Sequence, residues 1–217
     1  MVVAIDGPSG AGKSTVARAV AAALGVPHLD TGAYYRMATL VCLEAGVEPG
    51  NGAGALRALD HIDVDFTPDG HPTLAGKDVA DRLRAPDVTA AVSIVSAHPE
   101  VRAAVVAMQR RWVVERGGDA VVEGRDIGTV VFPDARVKVY LTADVRLRAR
   151  RRAGDAEAAG ASLEELVVQM ERRDHLDSSR TTSPLRPADD AVRIDTSGLG
   201  VAEVVARILD LVGTVER

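Results

Sequence analysis

The residues best placed to carry chemistry begin at position 7, where GPSGAGKS fits the pattern G-x-x-x-x-G-K-[ST]. The pattern lies between an apolar segment, VVAID, and a helical one, STVARAVAAALG. Glycines allow the backbone N–H groups of such a loop to turn inward around phosphate oxygens. Lys13 would then reach the β- and γ-phosphates, and Ser14 would offer its hydroxyl to Mg²⁺. The motif therefore predicts a nucleoside triphosphate site, and the contacts we expect are Gly7, Pro8, Ser9, Gly10, Ala11, Gly12, Lys13, Ser14 and Thr15.

A second group of charged residues lies at 172–180, in the segment RRDHLDSSR. Arg173, Asp177 and Arg180 are spaced i, i+4 and i+7, which predicts that all three lie on one side of a helix. Alternating charges on an exposed helix usually pair with one another. The same spacing would also suit a clamp for an anion, so this segment alone leaves both interpretations open.

Length, composition and charge limit the classes of protein that fit. The chain has 217 residues, 47% of them hydrophobic and 26% charged, and its net charge is −5. These values are typical of one globular core, and they disfavour nucleic acid and membranes as partners. The start MVVAID leads directly into a strand, so we expect a cytoplasmic protein. The lone cysteine, Cys42, is expected to be a small core residue.

Alternating strand and helix patterns must position these side chains. Beginning with a phosphate loop, they predict a parallel sheet covered by helices on both faces, with ligands at the carboxyl ends of the strands. The segments 30–36 and 123–128 follow strands, so Arg36, Arg125 and Asp126 are expected in one cleft near Lys13. Three further predictions concern single segments. They are a hairpin around the turn Pro68, Asp69 and Gly70, a hinge or lid loop at 154–161, and a capping box of Ser162 and Glu165.

The supply of arginine bears on what this cleft would phosphorylate. A hydroxyl acceptor needs a carboxylate base, and Glu123 could provide one, whereas a phosphate acceptor mainly needs its charge neutralised. Bidentate guanidinium groups suit two facing phosphates, so the residues favour a phosphate acceptor. The candidates are Arg36, Arg102, Arg125, Arg173 and Arg180. Two alternatives remain: a nucleoside or small-metabolite kinase that uses Glu123 as base, and a nucleotide-binding switch, although the chain has no N-K-x-D guanine motif.

Five segments together resemble the bacterial cytidylate kinases of the nucleoside monophosphate kinase family: IDGPSGAGKST, LDTGAYYR, SAHPEVR, EGRDIGTVVFPDA and RRDHLDSSRTTSPLRPADDAV. The resemblance implies one α/β P-loop kinase domain over 1–217, with an adenylate-kinase-like parallel sheet flanked by helices. It also implies a nucleoside monophosphate-binding region at 31–102 that includes a small insert at 58–95, and a short lid at 148–172. Such enzymes belong to pyrimidine nucleotide metabolism and transfer the γ-phosphoryl group of ATP, bound with Mg²⁺, to CMP or dCMP.

The resemblance also implies roles for individual residues. Ser93, Arg102 and Asp126 would surround the cytosine ring. Arg36 and Arg125 would bind the acceptor phosphate, with Thr31 as a further contact.

Arg173 and Asp177 would contact the ribose and phosphate of the acceptor, and Arg180 would bridge the phosphates. Lys13, Arg125, Arg173 and Arg180 would thus form the catalytic set, and Ser14 would bind the metal. The arginine run at 148–152 would border ATP or act in the lid, without an individual role for each member. We expect a monomer.

The sequence departs from the family pattern at three places. GKST stands where many nucleoside monophosphate kinases have GKGT, Thr31 stands where serine is common, and Glu123 stands where aspartate is common. None of these changes alters the expected reaction. They leave open whether Glu123 organises Mg²⁺ through water or anchors Arg125.

Overall fold

A computed structural model describes residues 1–60, 63–67, 70–154 and 160–215. Its Cα atoms cluster into two compact units, one formed by Met1–Asp30 with Val113–Arg217 and the other by Thr31–Trp112. The elements in chain order are β1 (Val2–Asp6), α1 (Lys13–Leu24), β2 (His28–Asp30), α2 (Thr31–Glu44), α3 (Gly52–Leu59), β3 (Val64–Phe66), β4 (Pro72–Leu74), β5 (Lys77–Asp78), α4 (Pro86–Val95), α5 (Pro99–Glu115), β6 (Ala120–Gly124), β7 (Val137–Thr142), α6 (Val145–Ala153), α7 (Leu163–Ser178), β8 (Val192–Asp195) and α8 (Val201–Val215).

The first unit contains a five-stranded sheet in the order β2-β6-β1-β7-β8. Every neighbouring pair of strands is parallel, which confirms the predicted sheet. The register places Ile5 of β1 opposite Glu123 of β6, and Glu123 opposite Asp30 of β2. Because parallel strands end at the same edge, the phosphate loop and the segments after β2 and β6 begin along one edge of the sheet.

Helices α1 and α8 pack on this sheet through valine and isoleucine side chains. Val16 and Val20 of α1 belong to the same buried cluster as Val3 and Ile5 of β1. Val204, Ile208 and Val212 of α8 complete the cluster. Their spacing of four residues keeps them on one face of the helix, so α8 buries a single apolar stripe.

Helices α6 and α7 form a smaller apolar cluster of Ala149, Leu166 and Met170. The predicted capping box is confirmed, because the Ser162 hydroxyl accepts from the Glu165 amide and the Glu165 carboxylate accepts from the Ser162 amide. The expectation that Arg180 lies on this helix is wrong. The helix ends at Ser178, and the chain turns at Ser179 with φ −88° and ψ 0°.

The second unit contains an antiparallel three-stranded sheet, β3-β4-β5. Pairing of β3 with β4 confirms the predicted hairpin, although Pro68 and Asp69 of its turn lie outside the described residues. The sequence pattern did not predict β5, which follows a turn at Ala75 and Gly76 in which both φ values are positive. Helix α3, whose Asn51 cap accepts from the Gly54 amide, was not predicted either.

Side chains in the second unit form its own core. Phe66 of β3 packs edge-on against Tyr34 of α2, at 5.1 Å between ring centroids, and against Trp112 of α5, at 6.3 Å. Cys42 is buried, as predicted, and its Sγ lies 3.2 Å from the carbonyl oxygen of Val47.

Across the described ranges, no helix taken singly has both the length and the apolar character that a bilayer span requires. The bent pair α4 and α5, with 103° between its helices, meets the length and composition criteria only when the two are taken together.

Ile208 offers a direct test of how α8 holds the sheet. Its side chain has no exposed surface, so Ile208→Ala should leave a cavity and lower the free energy of unfolding by about 3 kcal/mol in urea denaturation. Val201→Ala, at a position 48% exposed on the same helix, is the control and should change this energy little. Equal losses in the two variants would contradict the packing of α8.

Candidate active site

The loop between β1 and α1 has the backbone geometry of a phosphate cradle. Gly7 has φ 149°, and a Cβ at this position would overlap the carbonyl oxygen of Leu141 in β7. Gly12, just before α1, has φ 90° and offers no side chain to cap the helix. The first turn of α1 also contains no acidic residue. The positive end of α1 is therefore open to an external anion.

Side chains outside the loop fix the direction of its peptide groups. Arg148 Nη1 donates to the carbonyl oxygen of Ser9 at 3.1 Å, and Thr196 Oγ1 lies 3.2 Å from the carbonyl oxygen of Ala11. In a planar trans peptide, the N–H group of the next residue points the opposite way. The amides of Gly10 and Gly12 consequently point away from Arg148 and Thr196, as a ligand in the loop would require.

Lys13 is a buried cation whose charge the protein only partly compensates. Its Nζ donates to the carbonyl oxygen of Pro8 at 2.8 Å. Burial, reinforced by the positive charges of Arg125 and Arg173, lowers the pKa of Lys13 from 10.5 to about 7. The carboxylates of Glu123 and Asp30 oppose this shift without cancelling it.

Two consequences follow from the lowered pKa of Lys13. Between about pH 7 and 10.5 the unfolded chain binds more protons at this residue than the folded chain does, so its contribution to stability rises with pH. Phosphate oxygens placed beside the ammonium would favour the charged form and reverse the shift.

Ser14, in the first turn of α1, hydrogen-bonds the end of β6. Its hydroxyl donates to Glu123 Oε2 at 2.9 Å, and Glu123 Oε1 lies 3.0 Å from Nε2 of His28. The sequence had left Glu123 between a role at Mg²⁺ and a role at Arg125. The geometry joins the Glu123 carboxylate to the predicted metal ligand, Ser14.

Asp177 gathers two of the predicted catalytic arginines. Its Oδ2 accepts from Arg125 Nε at 3.1 Å, and its Oδ1 accepts from Arg180 Nη2 at 2.6 Å. The Asp177 side chain is only 3% exposed. Arg125 and Arg173 both influence the pKa of Lys13, so they lie close enough to add to the positive potential of the loop. Within the segment 172–180, Asp177 and Arg180 therefore pair with each other, while Arg173 adds positive charge beside the phosphate loop.

Asp126 follows β6 and begins an unusual turn. The segment Ile127–Val131 forms a single π-helical turn, and the amides of Val130 and Val131 donate to the Asp126 carbonyl oxygen. Asp6, at the end of β1, accepts from the amides of Ile127 and Gly128, both at 2.8 Å. Burial raises the pKa of Asp6 to about 6. This buried carboxyl group fixes the backbone immediately after Asp126.

The second unit brings the remaining candidates together along α4. Arg36 of α2 donates to Thr89 Oγ1 at 3.1 Å, and Arg102 of α5 donates to the carbonyl oxygen of Ser96 at 3.2 Å. Ser93 lies on α4 between these two contacts. Arg102 is buried, with its guanidinium carbon 5.0 Å from the centroid of the Tyr35 ring.

Thr31, the other candidate of this unit, is buried at the first position of α2.

The arginines at 148–152 differ from one another. Arg148 is buried and also pairs with Asp174 at 2.7 Å. Arg151 donates to Thr196 Oγ1 at 3.0 Å, and the exposed Arg150 faces solvent as part of α6. Residues 155–159 of the predicted lid loop lie outside the described residues.

Three supporting residues are not predicted from the sequence: Asp6, His28 and Thr196. Each is separated along the chain from the group it supports, and no motif connects the two. A polar residue at the last position of a predicted strand, such as Asp6 in VVAID, is the one signal that could have drawn attention to this support.

The donor atoms near the loop suit a magnesium ion that arrives with a nucleotide. Among the described residues, no group of three or more histidine, cysteine, aspartate or glutamate side chains could hold a metal alone. Ser14 and Glu123 present oxygen atoms, which Mg²⁺ prefers, and Mg²⁺ commonly takes its other ligands from phosphates and water. These residues therefore fit Mg²⁺ bound to a triphosphate.

Comparison with known proteins places this geometry among the kinases. The sequence model of the family described as cytidylate kinase matches residues 3–214. Cytidylate kinase of Mycobacterium avium (strain 104) is 50% identical over 217 residues, covering 98% of this chain and 95% of that protein. The enzyme of Rhodococcus opacus (strain B4) is 51% identical over 215 residues, covering 96% and 93%.

Solved structures support the same fold. A shikimate kinase from Bacteroides thetaiotaomicron covers 98% of both chains with a TM-score of 0.52. At 14% identity this likeness concerns the fold alone, an α/β fold in which a parallel sheet is flanked by helices, as in other P-loop kinases.

Asp177 provides a test of the charge arrangement. Asp177→Asn keeps the side-chain volume but leaves Arg125 and Arg180 without their shared anion, so the free energy of unfolding should fall by about 3 kcal/mol. Inorganic phosphate should raise the melting temperature of this variant more than that of the wild type, because the added anion replaces the negative charge that Asp177 supplied to the two arginines.

The matched control is Asp189→Asn. Asp189 lies 3.9 Å from Arg186 in an exposed pair, so its loss should change stability little. If the two variants were equally stable, Asp177 would not be holding the arginines.

Proposed function

The chain belongs to the cytidylate kinase family, and we propose how its residues share the work of transferring the γ-phosphoryl group of ATP to CMP or dCMP. The products are ADP and CDP or dCDP. The observation that carries the proposal is the buried position of Lys13 in the glycine loop, with Arg125 and Arg173 close enough to act on its charge. Two highly charged nucleotides would supply the missing negative charge.

The donor nucleotide would occupy the glycine loop. Backbone amides of residues 7–15 would bind the phosphate oxygens, with Lys13 between the β- and γ-phosphates. Mg²⁺, when bound, would neutralise charge on these phosphates. Ser14 would hold it directly, and Glu123 would orient the Ser14 hydroxyl through the 2.9 Å hydrogen bond.

Transfer itself would rely on electrostatic stabilisation rather than on a protein base. Phosphoryl transfer passes through a loose transition state with charge spread over the equatorial oxygens. Lys13, Arg125, Arg173 and Arg180 would neutralise that charge. Asp177 holds Arg125 and Arg180 in fixed directions, so little reorganisation would be needed during the reaction.

The acceptor would be bound by the residues that the family resemblance indicates. We propose that Arg36, Arg125 and Thr31 bind its phosphate, while Arg173 and Asp177 bind its phosphate and ribose. Both Asp177 oxygens accept from arginines and still have lone pairs for a ribose hydroxyl.

For the base, we propose Ser93, Arg102 and Asp126. A carboxylate at Asp126 would accept from the cytosine N4 amino group, whereas uracil presents an oxygen there. The buried guanidinium of Arg102 and the hydroxyl of Ser93 would complement the N3 and O2 acceptors.

We propose a monomeric cytoplasmic enzyme of pyrimidine nucleotide metabolism that acts on small nucleotides and not on nucleic acid or membranes. Its lid would lie at 148–172 and its nucleoside monophosphate-binding region at 31–102, within a single kinase domain.

Comparing CMP with cytidine tests the need for an acceptor phosphate. If arginines bind that phosphate and no base activates a hydroxyl, ADP release with CMP should exceed release with cytidine by at least about 10⁴-fold in kcat/KM. A coupled ADP assay with Mg²⁺ and ATP measures both rates. Comparable turnover of cytidine would instead support Glu123 as a general base, a role that its hydrogen bonds to Ser14 and His28 disfavour.

Asp126→Ala tests recognition of the base. We expect kcat/KM for CMP to fall by about 10- to 100-fold and the preference for CMP over UMP to narrow by a similar factor, because the N4 amino group loses its acceptor. The affinity for ADP, measured by titration calorimetry, should stay unchanged. A variant that kept the wild-type CMP to UMP ratio would remove Asp126 from base recognition.

A further inference from the structure

His28 makes a hydrogen bond for which the reaction outlined above provides no role. Its Nε2 lies 3.0 Å from Oε1 of Glu123, whose side chain is only 3% exposed. The opposite oxygen of the same carboxylate, Oε2, accepts from the Ser14 hydroxyl at 2.9 Å. One buried carboxylate is therefore bound from both sides, by an imidazole and by the residue proposed to hold Mg²⁺.

The sheet explains why these three side chains meet. In the β2–β6 register His28 stands opposite Val121, and Glu123 lies two residues further along β6 on the same face. Strand β6 has β2 on one side and β1 on the other. Helix α1 begins just after β1, so the end of β6 lies within reach of both Ser14 and His28.

The order of the groups differs from that of a serine nucleophile and its histidine base. The carboxylate stands between the hydroxyl and the imidazole, so His28 cannot remove the Ser14 proton directly, as the base of a serine nucleophile must. A hydroxyl that donates its proton to Glu123 instead directs its oxygen lone pairs elsewhere. That is the orientation a hydroxyl needs if it is to bind a cation.

We infer that His28 is a positioning residue for the metal site: by binding Oε1 of Glu123, it keeps Oε2 on the Ser14 hydroxyl and thereby directs the Ser14 oxygen toward Mg²⁺. The inference rests on the proposed role of Ser14 in metal binding. The terminal torsion of a glutamate is soft, so a hydrogen bond to one oxygen limits rotation of the whole carboxylate. Groups that orient metal ligands in this way commonly affect metal affinity as strongly as some ligands do.

Two substitutions separate positioning from simple packing. His28→Leu removes the donor and keeps a side chain of moderate size. His28→Gln places an amide N–H near the position of Nε2 and can restore the bond to Glu123. Titration calorimetry with ADP, in Mg²⁺ and in EDTA, gives for each protein the gain in ADP affinity that Mg²⁺ produces.

We expect His28→Leu to reduce that Mg²⁺-dependent gain by about tenfold and to leave the affinity in EDTA unchanged. His28→Gln should keep the wild-type gain. In turnover assays, the apparent activation constant for Mg²⁺ should rise in His28→Leu, while kcat at saturating Mg²⁺ returns to the wild-type value.

Each other outcome has a distinct meaning. If His28→Leu shows the same Mg²⁺-dependent gain in ADP affinity as the wild type, the inference is overturned but the proposed metal site is not. The same holds if His28→Leu loses ADP affinity equally in Mg²⁺ and in EDTA. A wild-type protein with no Mg²⁺-dependent gain overturns the proposed metal site and the inference with it. If His28→Leu does not fold, the shorter amide of His28→Asn, which cannot reach Glu123, should show the same loss relative to His28→Gln.

Discussion

The structure depends on one electrostatic constraint, the burial of the Lys13 ammonium with Arg125 and Arg173 nearby. Two neighbouring carboxylates, Glu123 and Asp30, compensate this charge only in part, so the pKa of Lys13 remains well below its ordinary value. Strongly shifted pKa values of this kind are concentrated at the functional sites of proteins. Nucleotide phosphates would supply the negative charge that the surroundings of Lys13 lack, so the buried ammonium favours the binding of anions.

Carboxylates elsewhere in the first unit position cations rather than simply neutralise them. Asp177 holds Arg125 and Arg180, and Asp174 holds Arg148 against the outer side of the phosphate loop. Glu123 does the same for a hydroxyl at Ser14. Since arginine side chains have many rotamers, these acceptors remove conformational freedom before any substrate arrives. Fixed donors of this kind are effective at stabilising charge that develops during transfer.

Most of the fold could be predicted because its signals are local. The phosphate loop between a strand and a helix, the alternation of later elements and the capping box at Ser162 all depend on residues close together in the chain. The errors also have local causes. Three residues past Asp177 the helix has already ended, so Arg180 meets that carboxylate from the following turn instead of from the helix face. Helix α3 escaped detection because its two glycines, at 52 and 54, resemble a loop.

The candidate site could be predicted only in part, because its supporting contacts join distant segments. Lys13, Ser14 and the arginines follow from motifs and from the family resemblance. In contrast, Asp6 supports the backbone after Asp126 across more than a hundred residues, and His28 reaches Glu123 from the edge strand of the sheet. The register of β2 against β6 determines this last contact, and register is invisible in a single sequence.

The charge state of Lys13 can be measured directly in the free and the nucleotide-bound protein. Nuclear magnetic resonance of lysine labelled at Cε and Nζ, assigned with Lys13→Arg, would follow its titration in the free protein and with ADP and Mg²⁺. We expect a pKa of about 7 without nucleotide and a large upward shift when the phosphates bind. A free-protein pKa near the ordinary value of 10.5 that nucleotide leaves unchanged would contradict this expectation.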